Sequence, residues 1–210
     1  MNKTINSRFN TKTGWLCLDF TNTVSWHASL HPEESLSTYR DLVLWAKSVS
    51  IVSPDMEEAL VAISEDKPEK ARKILDQAIE MREAIYRILL NQAHDIEIKK
   101  SDLSILNTAI AKMTPNLQLV FENGSFNWDW TVSVEHLDSV LWPVIWSTVE
   151  LLTSDALKRV GQCADERGCG WFFWDNSRNR TRRWCDMKDC GNLAKARRHY
   201  QKSHNNPQSC

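Results

Sequence analysis

The chain has 210 residues, 42% of them hydrophobic, which is enough to bury a proper core in one medium domain plus a small appendage. No apolar run approaches the roughly 20 residues that span a bilayer, and the start, MNKTINSRFN, lacks the apolar stretch of a secretion signal, so a cytoplasmic chain with no membrane contact is expected. The net charge of -1 hides a division: residues 1–154 carry 14 Lys and Arg against 21 Asp and Glu, net -7, and residues 155–210 carry 12 against 6, net +6, a balance that attracts polyanions to the C-terminal part.

In chain order, Gly14 to Thr23 (GWLCLDFTNT) is an apolar run ending in polar residues, and it reads as a short buried strand or an extended entry into a turn. Asp19, Asn22 and Thr23 lie there beside apolar neighbours. They could line a small-molecule pocket, although such residues more often bond the backbone of a turn or cap a helix. Ser35 to Val49 has helical spacing, with Leu36, Tyr39, Leu42, Val43 and Ala46 on one face. Pro54 and Pro68 each open a further helix, at a position where the missing N–H costs nothing. The second of these runs to about Ala93, and Asp102 to Met113 forms another short helix.

Leu117 to Val134 changes character: LQLVF and FNWDWTV are β-prone runs separated by a turn containing Asn123-Gly124, whose preference for positive φ suits a tight hairpin. From Val134 to Ser154 helical spacing returns, with Pro143 expected to kink the helix. The expected fold is mainly α with a small β-hairpin (α+β). A helical N-terminal domain over residues 1–154 is followed by a small four-cysteine module over 155–205, and the two should touch because no flexible linker separates them.

Four of the six cysteines fall at Cys163, Cys169, Cys185 and Cys190, and Cys17 and Cys210 lie far from them in sequence. Two close pairs joined by a hairpin-length spacer suit a tetrahedral S4 zinc site, with glycine after the second and fourth ligands (Gly170, Gly191) supplying the positive φ such turns need. An iron–sulfur cluster is the competing metal reading. A zinc ion bound by four thiolates has no open position for water, so one structural ion and no catalysis are expected here. Its charge together with four thiolates subtracts two from this end, leaving about +4.

Between the pairs, Trp171 to Trp184 reads as a strand, a polar turn around Asn176 to Asn179 and a basic return strand. Arg178, Arg180, Arg182 and Arg183 sit beside Trp171, Trp174 and Trp184. Guanidinium groups grip phosphates and aromatic rings stack on bases, while the bland reading makes the rings the module's own core and the arginines a solvated face. After Cys190, Asn192 can cap a helix to about Lys202 that places Lys195, Arg198, His199 and Lys202 on one face.

These residues resemble a known family. Cys163, Cys169-Gly170-Trp171, Phe173, Asp175, Ser177-Arg178, Arg182-Arg183-Trp184-Cys185, Met187, Cys190-Gly191-Asn192 and Ala194 to Arg198 are similar to the bacterial CGNR zinc finger over about 45 residues, although Leu193 stands where the naming motif has arginine. Leu16 to Thr23 and Asp41 to Trp45 are similar to the ABATE domain that accompanies this finger. The resemblance implies a stress-related transcription regulator: a finger that contacts DNA, and an N-terminal domain that senses a small-molecule effector or forms a homodimer. The leading expectation is therefore DNA contact through Arg178, Arg180, Arg182, Arg183, Lys195, Arg198 and Lys202. A protein-interaction module, in which the basic finger docks on the acidic N-terminal part or on a partner, is the alternative, as is an uncharacterised small-molecule-binding protein. No enzyme is expected, because the chain has no Gly-rich phosphate loop, no His-Glu-x-x-His and no nucleophile elbow.

Overall fold

The computed structural model describes residues 13–131 and 136–204, with the side chains of Lys202 and His204 outside the description. The chain opens with a helix where the apolar run suggested a strand: α1, Leu16–Thr21. Cys17, Leu18 and Phe20 are fully buried, with α6 (Trp142–Leu152) and α4 (Pro68–Ala93) packed against the helix. A continuous apolar run fits a helix buried on all sides as well as it fits a strand, and here burial on every side decides for the helix. A two-residue ladder follows, pairing β1 (Val24–Ser25) with β2 (Glu33–Glu34).

The next helix, α2 (Tyr39–Ser48), begins later than its periodicity suggested, because Thr38 and Asp41 form a capping box that fixes its first turn. The expected proline starts are present: α3 spans Pro54–Asp66, with the Ser53 hydroxyl accepting from the Met56 N–H, and α4 spans Pro68–Ala93. At 26 residues, α4 is about 39 Å long. It is the axis of the molecule, against which α1, α2, α3 and α5 (Lys100–Met113) pack. Trp45, Trp142 and Phe20 are the largest apolar side chains sealed in this core.

The hairpin forms as expected. β3 (Leu117–Glu122) pairs with β4 (Ser125–Trp130) in register from Leu117↔Trp130 to Glu122↔Ser125, and Asn123 and Gly124 both take positive φ, at 52° and 80°. The continuous kinked helix expected over Val134 to Ser154 is not formed. Leu137–Leu141 is a 3-10 turn, and α6 starts at Trp142 with Pro143 in its first turn, where proline terminates nothing. Val134 and Glu135 lie outside the described residues.

The C-terminal module is small and irregular. β5 (Val160–Gln162) pairs antiparallel with β6 (Phe172–Trp174), so the partner of the aromatic strand lies upstream and the expected basic return strand is absent. The chemistry of Asp175 explains this: its carboxylate accepts from the N–H of Ser177 at 2.8 Å and of Arg182 at 3.0 Å, folding the segment back as a loop. A π-turn at Met187–Gly191 leads into α7, Asn192–His204. Asn192 is therefore not a cap. Its backbone is already helical, and the capping side chain is Asp186, which accepts from the Lys188 N–H.

Candidate metal centre and basic surface

The four cysteines meet at one point. Their sulfurs all lie within 4.8 Å of one another, with Cys169 and Cys185 at 3.7 Å and Cys185 and Cys190 at 3.8 Å. Sulfurs at the corners of a tetrahedron about 2.3 Å from zinc stand roughly 3.8 Å apart, whereas a disulfide would bring two of them to about 2 Å. The donor set fits one structural zinc ion. Cys17 has no part in it: it is buried in α1 against Ser147, its thiol pushed up to about 12 by burial.

Local structure brings each ligand in. Cys163 directly follows β5, its N–H donating to the Trp171 carbonyl at 2.8 Å. The Cys163–Cys169 turn closes through the Gly168 N–H on the Asp165 carbonyl, and Arg167 grips the Asp165 carboxylate. Cys185 ends the Asp175 loop, and Cys190 sits in the π-turn. Of the two glycines expected at positive φ, Gly170 has it (71°) and Gly191 does not, being part of the helical turn.

The thiols also show why a cation belongs here. Hydrogen bonds from Cys169 and then Cys185 push the Cys163 thiol down, and the same hydrogen bonds with Cys163 push Cys169 and Cys185 up. Burial, then the charges of Cys169 and Cys163, raise Cys190. Thiolates this close keep their neighbours protonated, and a divalent ion is what allows all four to ionise. When bound, zinc cross-links these segments and supplies folding energy, with no coordination position left for water.

The finger is seated in the helical domain. Asn22 makes a reciprocal pair with Phe172, its amide donating to the Phe172 carbonyl and its oxygen accepting from the Phe172 N–H, both at 2.9 Å. The Trp171 indole donates to the Val24 carbonyl at 2.7 Å, and the N–H groups of His27 and Ala28 donate to the carbonyls of Cys169 and Gly168. Gly168, at φ 89°, leaves no room for a side chain: a Cβ there would stand 2.7 Å from the Ser29 backbone. Phe172 is fully buried within the main core beside Tyr86. Sequence reasoning missed Glu83 and Gly168, and gave His27 no place beside the zinc turn, since only the fold shows that the Trp26–Ser29 loop meets it. His27 bridges to Glu83 at 2.9 Å beneath it, and the buried Arg82 pairs with both Glu34 and Glu83.

The residues singled out for a ligand take separate places. Asp19 accepts from the Thr13 N–H at 3.1 Å, and Thr23 donates to the Phe20 carbonyl and accepts from Arg82. Asn22 alone of the three lines a cleft of about 500 Å³ at the seam, with Thr13, Phe173, Ser177, Thr181 and Met187.

The basic residues divide into two sets. Arg182 turns inward, donating to the carbonyls of Trp184 (2.9 Å), Trp174 (3.3 Å) and Cys185, with its guanidinium 4.6 Å from the Phe173 ring. Arg178, Arg180, Arg183, Lys195 and Arg198 are exposed. Arg183 and Arg198, far apart in sequence, both rest on the Trp184 ring at 5.5 Å. Lys202 lies on α7, its side chain outside the described residues. The finger's own ion pairs, Arg167–Asp165 and Arg197–Asp165, stay within it.

A helical domain with a four-cysteine centre in a small cluster of its own at the seam defines a zinc-finger protein whose metal is structural. The chain belongs to the ABATE family, described as putative stress-induced transcription regulators, which matches residues 14–155, and a CGNR zinc finger matches residues 159–203. Neither is a family of enzymes. A comparison with curated proteins finds no match. Among the described residues no helix is long and apolar enough to cross a membrane.

Proposed function

We propose that the chain is a cytoplasmic transcription regulator whose zinc finger binds DNA through Arg178, Arg180, Arg183, Lys195, Arg198 and Lys202, under control of the helical domain. One observation carries the reading: the exposed Arg183 and Arg198 both seat their guanidinium groups 5.5 Å from the Trp184 ring beside the zinc cluster. Two guanidinium groups ordered beforehand on one ring lose less freedom when they grip phosphates. The finger docks on the acidic domain through the Asn22 amide, the Trp171 indole, backbone hydrogen bonds from His27 and Ala28, and the apolar Phe172, which leaves its basic surface facing solvent. This favours DNA over the alternative in which the basic surface itself docks on the helical domain. Leu193, 40% exposed on α7, stands in place of the motif arginine and offers no phosphate contact of its own.

The test is salt-dependent retention of the zinc-loaded chain on duplex DNA. Arg183→Ala and Arg198→Ala should each lower the log–log salt slope by about 0.9, with zinc content unchanged. Absence of salt-sensitive binding, or two variants that bind like the parent, would refute the reading. For the regulatory half, the seam cleft beside Asn22 is the place where a small effector would bear on both parts. Thermal-shift screening of metabolites against the parent and a cleft-filling Thr181→Trp variant checks it, and any hit that ignores the variant assigns the effector elsewhere.

A further inference from the structure

The β3–β4 hairpin sorts its side chains by face. One face carries the cross-strand pairs Leu117 with Trp130, Leu119 with Trp128 and Phe121 with Phe126, and the other carries polar residues and Val120. The base of the apolar face is covered, with Trp130 against Trp142 and Trp146 at ring distances of 6.1 and 6.4 Å and Trp128 against Trp146 at 5.8 Å. The outer part is not. Leu119 is 58% exposed, Phe121 63%, Phe126 71% and Trp128 57%, and the two phenylalanine rings are already packed on each other at 4.8 Å.

An isolated two-stranded hairpin is marginal in water, and the largest exposed apolar patch of a monomer, commonly about 300–600 Å², is often functional. Four large apolar side chains, each of roughly 150–250 Å², exposed by somewhat more than half, present about 400–500 Å². Two copies of that patch bring about 900 Å² together, the apolar centre of a small two-fold interface.

We propose that this face is a homodimer interface, covered by the same hairpin of a second copy across a two-fold axis. Charge points to that occupant. Residues 117–130 contain no Lys or Arg, so neither nucleic acid nor an anionic membrane is attracted to them. Their two acids, Glu122 and Asp129, lie on the opposite face, so apposing two copies brings no like charges together. The hairpin arrangement is independent of whether the finger binds DNA.

The experiment is the mass of the full zinc-loaded chain by sedimentation and light scattering between about 1 and 100 µM. Twice the chain mass of 24.3 kDa is expected, and Phe121→Asp with Phe126→Asp should weaken the dimer at least about 100-fold while zinc content is retained. Should that double variant lose zinc or aggregate, the milder Phe126→Ala and the rise of the parent's melting temperature with protein concentration give the same reading. A parent that stays monomeric throughout, a dimer indifferent to both variants, or a monomer that sediments with neutral phosphatidylcholine vesicles overturns the proposal, the last by assigning the face to lipid.

Discussion

Arg182 is where the finger's sequence and its structure part most clearly. Four arginines between Arg178 and Arg183 look equivalent as letters, and nothing in their spacing separates a phosphate ligand from an internal brace. Three carbonyls and the Phe173 ring claim Arg182, tying Trp174 to the segment that delivers Cys185. Charge-assisted hydrogen bonds of this kind contribute about 1.5–3 kcal/mol when lost. Arg182→Ala should therefore lower stability by about 2 kcal/mol in urea unfolding at fixed zinc, and Arg183→Ala should leave stability nearly unchanged while weakening DNA retention. Equal stability losses in the two variants would remove this distinction.

At the scale of elements, the seam between α1 and β6 decides how the finger is held. Asn22 satisfies both backbone groups of Phe172 in a buried setting. Asn22→Ala orphans both, at a cost of about 3 kcal/mol, which equilibrium unfolding should register together with increased proteolysis near Trp171. The elements themselves were unevenly legible. Pro54 and Pro68 mark helix starts because proline fixes φ and lacks the donor a first turn does not use, and Asn123-Gly124 marks the hairpin through its positive φ. The four ligands were legible because zinc demands both residue type and spacing. What local pattern could not supply was tertiary. The α1 run has no period to separate helix from strand, β6 finds its partner upstream, and His27 meets Cys169 only once the chain is folded.

For the whole molecule, zinc removal is the informative perturbation. A separate module would unfold by itself, leaving the helical domain intact. Here Phe172 belongs to the main core and the Trp26–Ser29 loop hangs on the zinc turn. Cys185→Ser should abolish zinc binding, measured as one metal per chain in the parent and none in the variant, and should lower the melting temperature of the entire chain in a single transition. Two well-separated transitions, with helical signal retained after the first, would contradict this.

The Asn22–Phe172 pair also bears on engineering. A finger cut free at Asp155 would take β6 without the amide that matches it and would expose the Phe172 ring that the helices enclose. The basic surface proposed to bind DNA could not be grafted onto an unrelated protein as a cassette; α1 and the Trp26–Ser29 loop would have to travel with it. A redesign of the proposed DNA contacts would have to work on Arg178, Arg180, Arg183 and α7 in place, leaving the seam untouched.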